Sequence, residues 1–315
     1  MIKKQTMSLV VPCYNEEASI YPFVEAVEKV QKDLSSVTFE ILFINDGSKD
    51  NTLNRIKNIK ENSKLSINYL SFSRNFGKEA ALIAGLEHAY GEWVAVMDVD
   101  LQDPPEMLVD MYHYITEEDY DVVATRRSTR KGEPFFRSVF AKLYYRINNW
   151  ITDVHLEDGA RDYRLMTRQV VDAILELPER NRFSKGIFAW VGFNVKYLEY
   201  ENIERKTGQT SWSFYSLFNY ALEGIISFSD APLTIASIVG FITFLIAIVY
   251  GFYIIVKTLM HGATTPGWPS LAVLILGMSG LQLLCLGIVG KYIGKIFHES
   301  KHRPHYIVKE SSIDD

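Results

Sequence analysis

The stretch DVDLQDP at residues 98–104 decides the fold of this chain. It follows a short apolar run, residues 93–97, that predicts a buried strand. Because side chains alternate along a strand, Asp98 and Asp100 point the same way at its end, and Gln102 adds an amide oxygen where the chain turns. Hard oxygen ligands of this kind suit Mg²⁺ or Mn²⁺, which usually share their coordination with substrate phosphates. The stretch therefore predicts a divalent-metal site.

A second interpretation of the same stretch is an acidic turn. Pro104 and Pro105 end the strand and predict a helix from Glu106, for which Asp103 would be the N-cap. The carboxylates would then have a structural role. The sequence on either side of the stretch favours the metal site.

The residues before this stretch alternate between strand and helix patterns. Apolar runs predict three further strands, and apolar residues at helical spacing predict three helices, the first with Asn15 as its N-cap. This order predicts a mostly parallel sheet with helices on both faces. No G-x-G-x-x-G follows the first strand and no G-x-x-x-x-G-K-[ST] occurs, which disfavours a dinucleotide-binding dehydrogenase and a P-loop nucleotidase. The predicted strands cover residues 7–12, 39–44, 67–72 and 93–97.

Polar residues follow these strands where each one ends. Asp46, Arg74, Asp98 and Asp100 all occupy such positions. Ligand-binding groups collect at the carboxyl ends of parallel strands, so we expect these side chains to share one site. An Asx-turn remains the alternative for Asp46, and a surface salt bridge remains the alternative for Arg74.

The last third of the chain has a different composition. Residues 233–256 and 269–290 carry no charged side chain, and each run is long enough to cross a bilayer. Buried core helices are the alternative. Lysine and arginine side chains follow the second run, which by the positive-inside rule places both ends of the hairpin in the cytoplasm. The two cysteines, Cys13 and Cys285, are not expected to pair, which fits a reducing compartment.

Several motifs together resemble a known family. They are PCYNEE at 12–17, NDGS at 45–48, SRNFGK at 73–78 and DVDLQDP at 98–104. In this order they are similar to the inverting family-2 glycosyltransferases of GT-A fold. Within that group the chain resembles the polyprenyl-phosphate glycosyltransferases, which include dolichol-phosphate mannose synthase and bactoprenol glucosyltransferases. The resemblance extends over nearly the whole chain, through DYRL at 162–165 and RKTGQTS at 205–211, although residue 163 is often Phe in the family and is Tyr here.

The resemblance implies roles for individual residues. Asp100 and Asp162 would be catalytic, with Asp162 acting either as a general base or by positioning the acceptor. Mg²⁺ or Mn²⁺ would be bound by Asp98, Asp100 and Gln102. The donor nucleotide would be contacted by Pro12, Tyr14, Glu16, Asp46, Arg74, Lys78 and Asp98.

Basic residues predict where an acceptor phosphate binds. A cationic run begins at Arg126, directly after a strand predicted at residues 121–125, and arginine pairs with phosphate bidentately. A solvated basic face is the alternative. Apolar residues at helical spacing over 135–147 and 212–226 predict helices that lie on the membrane or pack in the core. The predicted acceptor-binding residues are Arg126, Arg137, Arg164, Arg205 and Lys206.

The sequence thus predicts an integral membrane enzyme of four parts. These are a GT-A domain at 1–210, an interfacial helical region at 211–231, a transmembrane hairpin at 232–290 and a cytoplasmic tail at 291–315, disordered after Pro304. The catalytic domain and both termini are expected in the cytoplasm.

The expected reaction is transfer of glucose from a UDP-sugar to undecaprenyl phosphate with inversion. Other donors stay open, namely N-acetylglucosamine, galactose, an aminopentose or mannose from GDP-mannose. A non-catalytic membrane scaffold with a transferase-like domain is also an alternative. Membrane lipid and a homo-oligomer, such as the tetramers that family members form, are the expected partners, and no nucleic acid is expected.

Overall fold

A computed structural model describes residues 5–128, 144–152, 154–200, 224–261 and 267–313 of the chain. Within them one eight-stranded sheet organises the catalytic part, and two long helices follow it. The strands are β1 Gln5–Cys13, β2 Val37–Asn45, β3 Ser66–Phe72, β4 Trp93–Val96, β5 Val122–Arg127, β6 Ala160–Thr167, β7 Val195–Tyr200 and β8 Val308–Ser311. The helices are α1 Ile20–Asp33, α2 Thr52–Asn62, α3 Lys78–His88, α4 Met107–Glu117, α5 Arg168–Leu175, α6 Ser184–Trp190, α7 Ala231–His261 and α8 Trp268–Ser300.

The sheet is mixed, with a parallel centre. Its strand order is β7-β5-β6-β4-β1-β2-β3-β8. Strands β4, β1, β2 and β3 pair in parallel, whereas β6 is antiparallel to both β4 and β5, and β8 is antiparallel to β3. The carboxyl ends of the parallel strands and the start of β6 therefore lie at one edge of the sheet, which we call the carboxyl edge.

Apolar side chains on alternate faces of β1 build two layers of core. Leu9 and Val11 pack with α1, α2 and α4, while Val10 packs with α3, α5 and α6. This alternation follows from the period of two along a strand. Both faces of the central strands are buried, as expected for a parallel sheet covered by helices. The α/β class predicted from the sequence is confirmed.

Helices α7 and α8 form a pair of candidate membrane spans. The apolar segments Ala231–Met260 and Leu274–Ser300 have mean hydropathies of 2.5 and 1.7, and none of either segment's most apolar window is buried within the molecule. By length and composition each is able to cross a membrane. Helix α8 is longer than predicted. It continues to Ser300, whereas the predicted hairpin ended at residue 290.

The end of α8 is joined to the catalytic part by hydrogen bonds. The Glu299 carboxylate accepts from the backbone N–H groups of Arg180 and Asn181, at 2.9 and 3.0 Å. Near the start of α7, the hydroxyl of Tyr292 donates to the carbonyl of Ser229 at 2.7 Å. The hairpin therefore contacts the catalytic part at the end of α8 as well as at the start of α7.

The predicted disorder after Pro304 is wrong. Residues Val308–Ser311 form β8, which pairs antiparallel with β3 at the outer edge of the sheet. Tyr306 stacks on Phe72 with ring centroids 4.9 Å apart, and the Tyr69 hydroxyl donates to Glu310 at 2.8 Å. The strand is short and polar, so its own periodicity is weak, and it forms because the edge of β3 offers unpaired backbone groups.

Two predicted helix starts are also wrong. Helix α1 begins at Ile20 with Ser19 in the N-cap position, and the Asn15 side chain instead accepts from the Lys49 backbone N–H at 2.9 Å. Helix α4 begins at Met107, and Glu106 occupies the position predicted for Asp103. Residues 135–143 and 212–223 of the two predicted interfacial helices lie outside the described residues.

Candidate active site

Asp98 and Asp162 meet at the carboxyl edge because of strand register. Strands β4 and β6 pair antiparallel with Val96 opposite Arg164. Continuing this register by two residues places Asp162 opposite Asp98. Two carboxylates facing each other across a strand pair repel, so a cation between them stabilises the pair.

Lys78 supplies that cation. Its ammonium donates to Asp98 Oδ1 at 2.7 Å and to Asp162 Oδ2 at 2.6 Å. Burial lowers the pKa of Lys78, but the two carboxylates outweigh it and raise the pKa well above its usual range. Burial likewise raises the pKa of Asp162, but the charges of Lys78 and Lys185 outweigh it and hold the pKa well below its usual range. Asp162 is therefore ionised at neutral pH.

Asp46 positions the loop that carries Lys78. Its buried carboxylate accepts from the backbone N–H groups of Phe76 and Gly77, at 2.6 and 2.9 Å. Gly77 has φ +97°, a conformation that favours glycine, and it directly precedes the first residue of α3. Burial raises the pKa of Asp46, and the two backbone hydrogen bonds oppose that shift.

A glycine allows this loop to approach the end of β2. Gly47 has φ +66°, and a Cβ added there would lie 2.4 Å from the carbonyl carbon of Arg74. Any larger residue would displace the Arg74 backbone. The Arg74 guanidinium is exposed and lies 4.5 Å from the ring centroid of Phe76. Asp46 and Arg74 are both predicted to bind the donor nucleotide. They thus lie on the loops after β2 and β3, which the hydrogen bonds of Asp46 hold together.

The turn after β4 presents the predicted metal ligands. Met97 and Val99 are buried in the core, so Asp98 and Asp100, which alternate with them, point away from it. Leu101 adopts a left-handed conformation, φ +57°, which costs energy for a residue with a branched side chain. The Gln102 backbone N–H donates to Asp100 Oδ1 at 3.1 Å. Backbone strain of this kind is concentrated at functional sites.

This donor set fits a divalent cation that is shared with a substrate. The described residues contain no group of three or more histidines, cysteines or acids able to hold a metal ion. Asp98 and Asp100 therefore provide at most two carboxylates. Mg²⁺ is typically held by one or two carboxylates together with substrate phosphates, so two suffice.

The predicted ligand Gln102 faces cations rather than an open site. Its amide oxygen is 3.4 Å from a guanidinium nitrogen of Arg127 and 3.4 Å from one of Arg161. Arg161 also donates to the buried Asp103 at 3.2 Å, and the Tyr200 hydroxyl donates to the same carboxylate. The pKa of Asp103 is raised by burial, against the opposing charge of Arg161. We call these five residues the arginine cluster.

The predicted acceptor-binding arginines are engaged by the protein. Arg126 pairs with Glu157 and Glu199, at 2.5 Å to each. Arg164 is buried, donates to the backbone carbonyl of Arg161 at 2.9 Å and lies 3.7 Å from the ring centroid of Phe188. Burial lowers the pKa of Arg164 to about 10. Arg137, Arg205 and Lys206 lie outside the described residues.

The loop after β1 is braced against the loop after β2. The Asn15 backbone N–H donates to Ser48 Oγ at 2.9 Å, and the Glu16 backbone N–H donates to Thr52 Oγ1 at 2.9 Å. Pro12 pairs with Ile44 in the register of β1 and β2, and Tyr14 is 41% exposed beside it. Pro12, Tyr14 and Glu16 therefore lie at the carboxyl edge, and their donor contacts stay predictions.

Sequence reasoning missed four residues around this edge. Arg161 and Tyr200 hold Asp103, and the Glu79 carboxylate accepts from the backbone N–H and hydroxyl of Ser184. Lys185 follows Ser184 and acts electrostatically on Asp162. Arg161 adjoins the DYRL motif, which was a usable signal. Lys185 lies on a short helix far along the chain and had none.

Comparison with known proteins identifies the family. The chain matches the sequence profile Glycosyl transferase family 2 over residues 8–175. It is 45% identical over 312 residues to CsbB of Bacillus subtilis (strain 168), a protein assigned as a glycosyltransferase, and the alignment covers 99% of this chain and 94% of CsbB. It is 44% identical to the bactoprenol glucosyl transferase of Shigella phage SfV, with 96% of this chain and 98% of that protein covered.

A solved structure of similar outline is the mannosyltransferase PcManGT from Pyrobaculum calidifontis, in complex with GDP-Man and Mn²⁺. Its TM-score is 0.46 at 13% identity, with 93% of this chain and 88% of that one covered. At that score the likeness carries no conclusion about this chain.

The sheet and the carboxyl edge define a glycosyltransferase of GT-A fold. The chain belongs to glycosyl transferase family 2. The predicted fold and the predicted enzyme class are confirmed.

Proposed function

We propose that this enzyme transfers glucose from UDP-glucose to undecaprenyl phosphate, with inversion at the anomeric carbon, at the cytoplasmic face of the membrane. The observation that carries the proposal is the Asp98–Lys78–Asp162 bridge at the edge of a sheet whose chain continues into two apolar helices. Such a chain holds its reactive edge near lipid. The similarity to a bactoprenol glucosyl transferase over nearly the full length supports the choice of sugar and lipid.

The residues of the carboxyl edge have different roles in the proposed reaction. The acceptor phosphate is already largely ionised near neutral pH, so its oxygen attacks C1 of the sugar without a base. The lowered pKa of Asp162 makes its carboxylate a weak base, and it already accepts from Lys78, so we assign it to positioning rather than to removing a proton. Asp98 and Asp100 would hold the divalent cation, which when bound neutralises charge on the leaving diphosphate. Lys78 adds a second positive charge beside it.

A donor and acceptor screen tests the function. Purified protein in detergent is given UDP-glucose, UDP-N-acetylglucosamine, UDP-galactose or GDP-mannose with undecaprenyl phosphate, and the lipid product is identified by mass. We expect a hexosyl-lipid phosphate from UDP-glucose. Undecaprenol and a soluble sugar acceptor are the controls. Faster transfer from another donor would replace glucose, and equal transfer to undecaprenol would contradict the phosphate acceptor.

The metal assignment has its own test. Asp100→Asn removes a charged ligand and is expected to lower turnover by about a hundredfold or more, while the thermal unfolding midpoint stays near that of the wild type. Excess EDTA should abolish turnover, and Mg²⁺ or Mn²⁺ should restore it. Asp33→Asn, at the far end of α1 from the carboxyl edge, removes the same charge from an exposed position and serves as the control. Full activity in EDTA would contradict a metal on Asp98 and Asp100.

A further inference from the structure

A phosphate acceptor needs a cation that other groups do not already neutralise. Arg126 is neutralised by Glu157 and Glu199, and Lys78 by Asp98 and Asp162. Arg164 is buried against Phe188 and donates to backbone carbonyls. Arg126 and Arg164, the two predicted acceptor-binding cations that the structure describes, are therefore engaged by other groups, and so is the predicted donor-binding residue Lys78.

Lys185 is held next to this site from a separate element. It is the second residue of α6, directly after Ser184. The backbone N–H of Ser184 donates to Glu79 at 3.0 Å, and its hydroxyl donates to the same carboxylate. Glu79 in turn follows Lys78 in the first turn of α3. The first turn of α3, which carries Lys78, is thus hydrogen-bonded to the first turn of α6, which carries Lys185.

Lys185 borders a small crevice of about 20 Å³, which has room for roughly one water molecule. Arg164 and Phe188 form part of its wall, and Tyr145 and Tyr197 lie around it. Lys185 has no ion-pair partner within 4.0 Å among the described residues, although its charge contributes to holding the pKa of Asp162 low. The Glu157 carboxylate also borders the crevice, where it pairs with Arg126. A half-buried lysine with no ion-pair partner among the described residues is suited to bind an anionic group.

We infer that Lys185 binds the phosphate of the lipid acceptor, on the Asp162 side of the carboxyl edge. This inference rests on the proposed function. The phosphate is bound between Lys185 and the Lys78–Asp162 pair, outside the crevice. Asp162 holds Lys78 by a hydrogen bond before the acceptor binds.

Lys185→Gln tests the inference because it keeps a polar side chain of similar length and removes the charge. We expect the KM for undecaprenyl phosphate to rise about ten- to a hundredfold, since a charge-assisted hydrogen bond is lost. The KM for UDP-glucose, and its Kd measured without acceptor, should change less than about twofold. Lys185→Arg should keep the acceptor KM within about threefold, because the charge is retained.

The matched control is Lys196→Gln on β7, where the ammonium lies 4.9 Å from the ring centroid of Tyr114. It removes the same charge outside the site, and its acceptor KM should equal that of the wild type. An unchanged acceptor KM in Lys185→Gln, or an equal rise in the donor KM, overturns the role of Lys185. If the wild type forms no lipid-linked sugar from any polyprenyl phosphate, the proposed function itself fails, and this inference fails with it.

Discussion

At the scale of single residues, Lys78 forms ion pairs with two carboxylates at once. It lies between two carboxylates that strand register forces together, yet its side chain is 42% exposed. A bridging lysine that solvent reaches can exchange one partner for a diphosphate oxygen of the proposed donor. The charge is therefore in place before the donor binds, and it needs no rearrangement of the backbone.

Removing this bridge should impair the reaction. Lys78→Met leaves Asp98 and Asp162 facing each other without a cation, and we expect turnover to fall by tenfold or more. Steady-state kinetics measure the effect. Lys64→Met removes the same charge from an exposed position and is the control. Turnover in Lys78→Met equal to that of the control would show that the bridge has no part in the reaction.

The arginine cluster leads to a prediction about stability. The Asp103 side chain is 1% exposed and Arg161 is 23% exposed, so Asp103→Asn leaves a largely buried guanidinium without its carboxylate. We expect the free energy of unfolding to fall by about 2–4 kcal/mol. Asp172→Asn is the matched control, because Asp172 is 63% exposed in its pair with Arg168, and exposed pairs contribute about 0–1 kcal/mol. Denaturant titration that gives equal losses for both variants would contradict a structural role for the cluster.

At the scale of elements, β8 protects the edge of the sheet. Without it, β3 would present unpaired backbone groups next to exposed apolar side chains, which favours aggregation. Polar side chains on β8 and directly after it also secure the strand, because Lys57 pairs with Glu310 and the Ser312 hydroxyl accepts from the Tyr69 backbone N–H. A four-residue strand that is weak in isolation is thereby held by its neighbours.

Tyr306 provides a sensitive test of this element. Tyr306→Ala removes the ring stacked on Phe72, and we expect the free energy of unfolding to fall by about 1–3 kcal/mol. Tyr306→Phe keeps the ring and loses only the hydrogen bond to Glu87, so its loss should be smaller, about 0.5–1.5 kcal/mol. Thermal unfolding of the detergent-solubilised protein compares the two. If alanine were no worse than phenylalanine, β8 would not be anchored by this ring.

At the scale of the whole molecule, the last strand of the chain pairs with a strand from its first part. It leaves the catalytic part at α7, passes through both apolar helices and pairs again with the central sheet at β8. If the two helices span a membrane, both ends of the hairpin must lie on the side that holds the sheet. The basic residues after the second apolar run support the same orientation.

Cysteine labelling tests this topology. In a variant without Cys13 and Cys285, single cysteines replace Glu118 on the catalytic part, Lys309 on β8 and Thr264, which lies in the connector outside the described residues. We expect an impermeant reagent added to intact cells to label position 264 and to spare positions 118 and 309. Labelling of position 309 from outside with position 118 spared would be incompatible with β8 in the sheet, and labelling of both would reverse the proposed orientation.

The amino-acid sequence determined the features that depend on local periodicity. Short apolar runs, separated by helical patterns, predicted the parallel strands. The spacing of DVDLQDP placed two carboxylates at a strand end. Two long uncharged runs predicted α7 and α8. Each signal lies within one segment and needs no knowledge of what packs against it. The class of fold and the position of the carboxyl edge follow from these signals.

The tertiary structure alone decided which distant residues meet. The register of β6 places Asp162 opposite Asp98, packing joins Glu79 to Ser184, and Glu157 and Glu199 neutralise an arginine that was predicted to bind the acceptor. Strand β8 forms because an open edge offers hydrogen bonds that its own short, polar sequence does not signal. The choice of which strands pair depends on backbone groups that every residue shares, so the side-chain pattern of one segment does not name its partner.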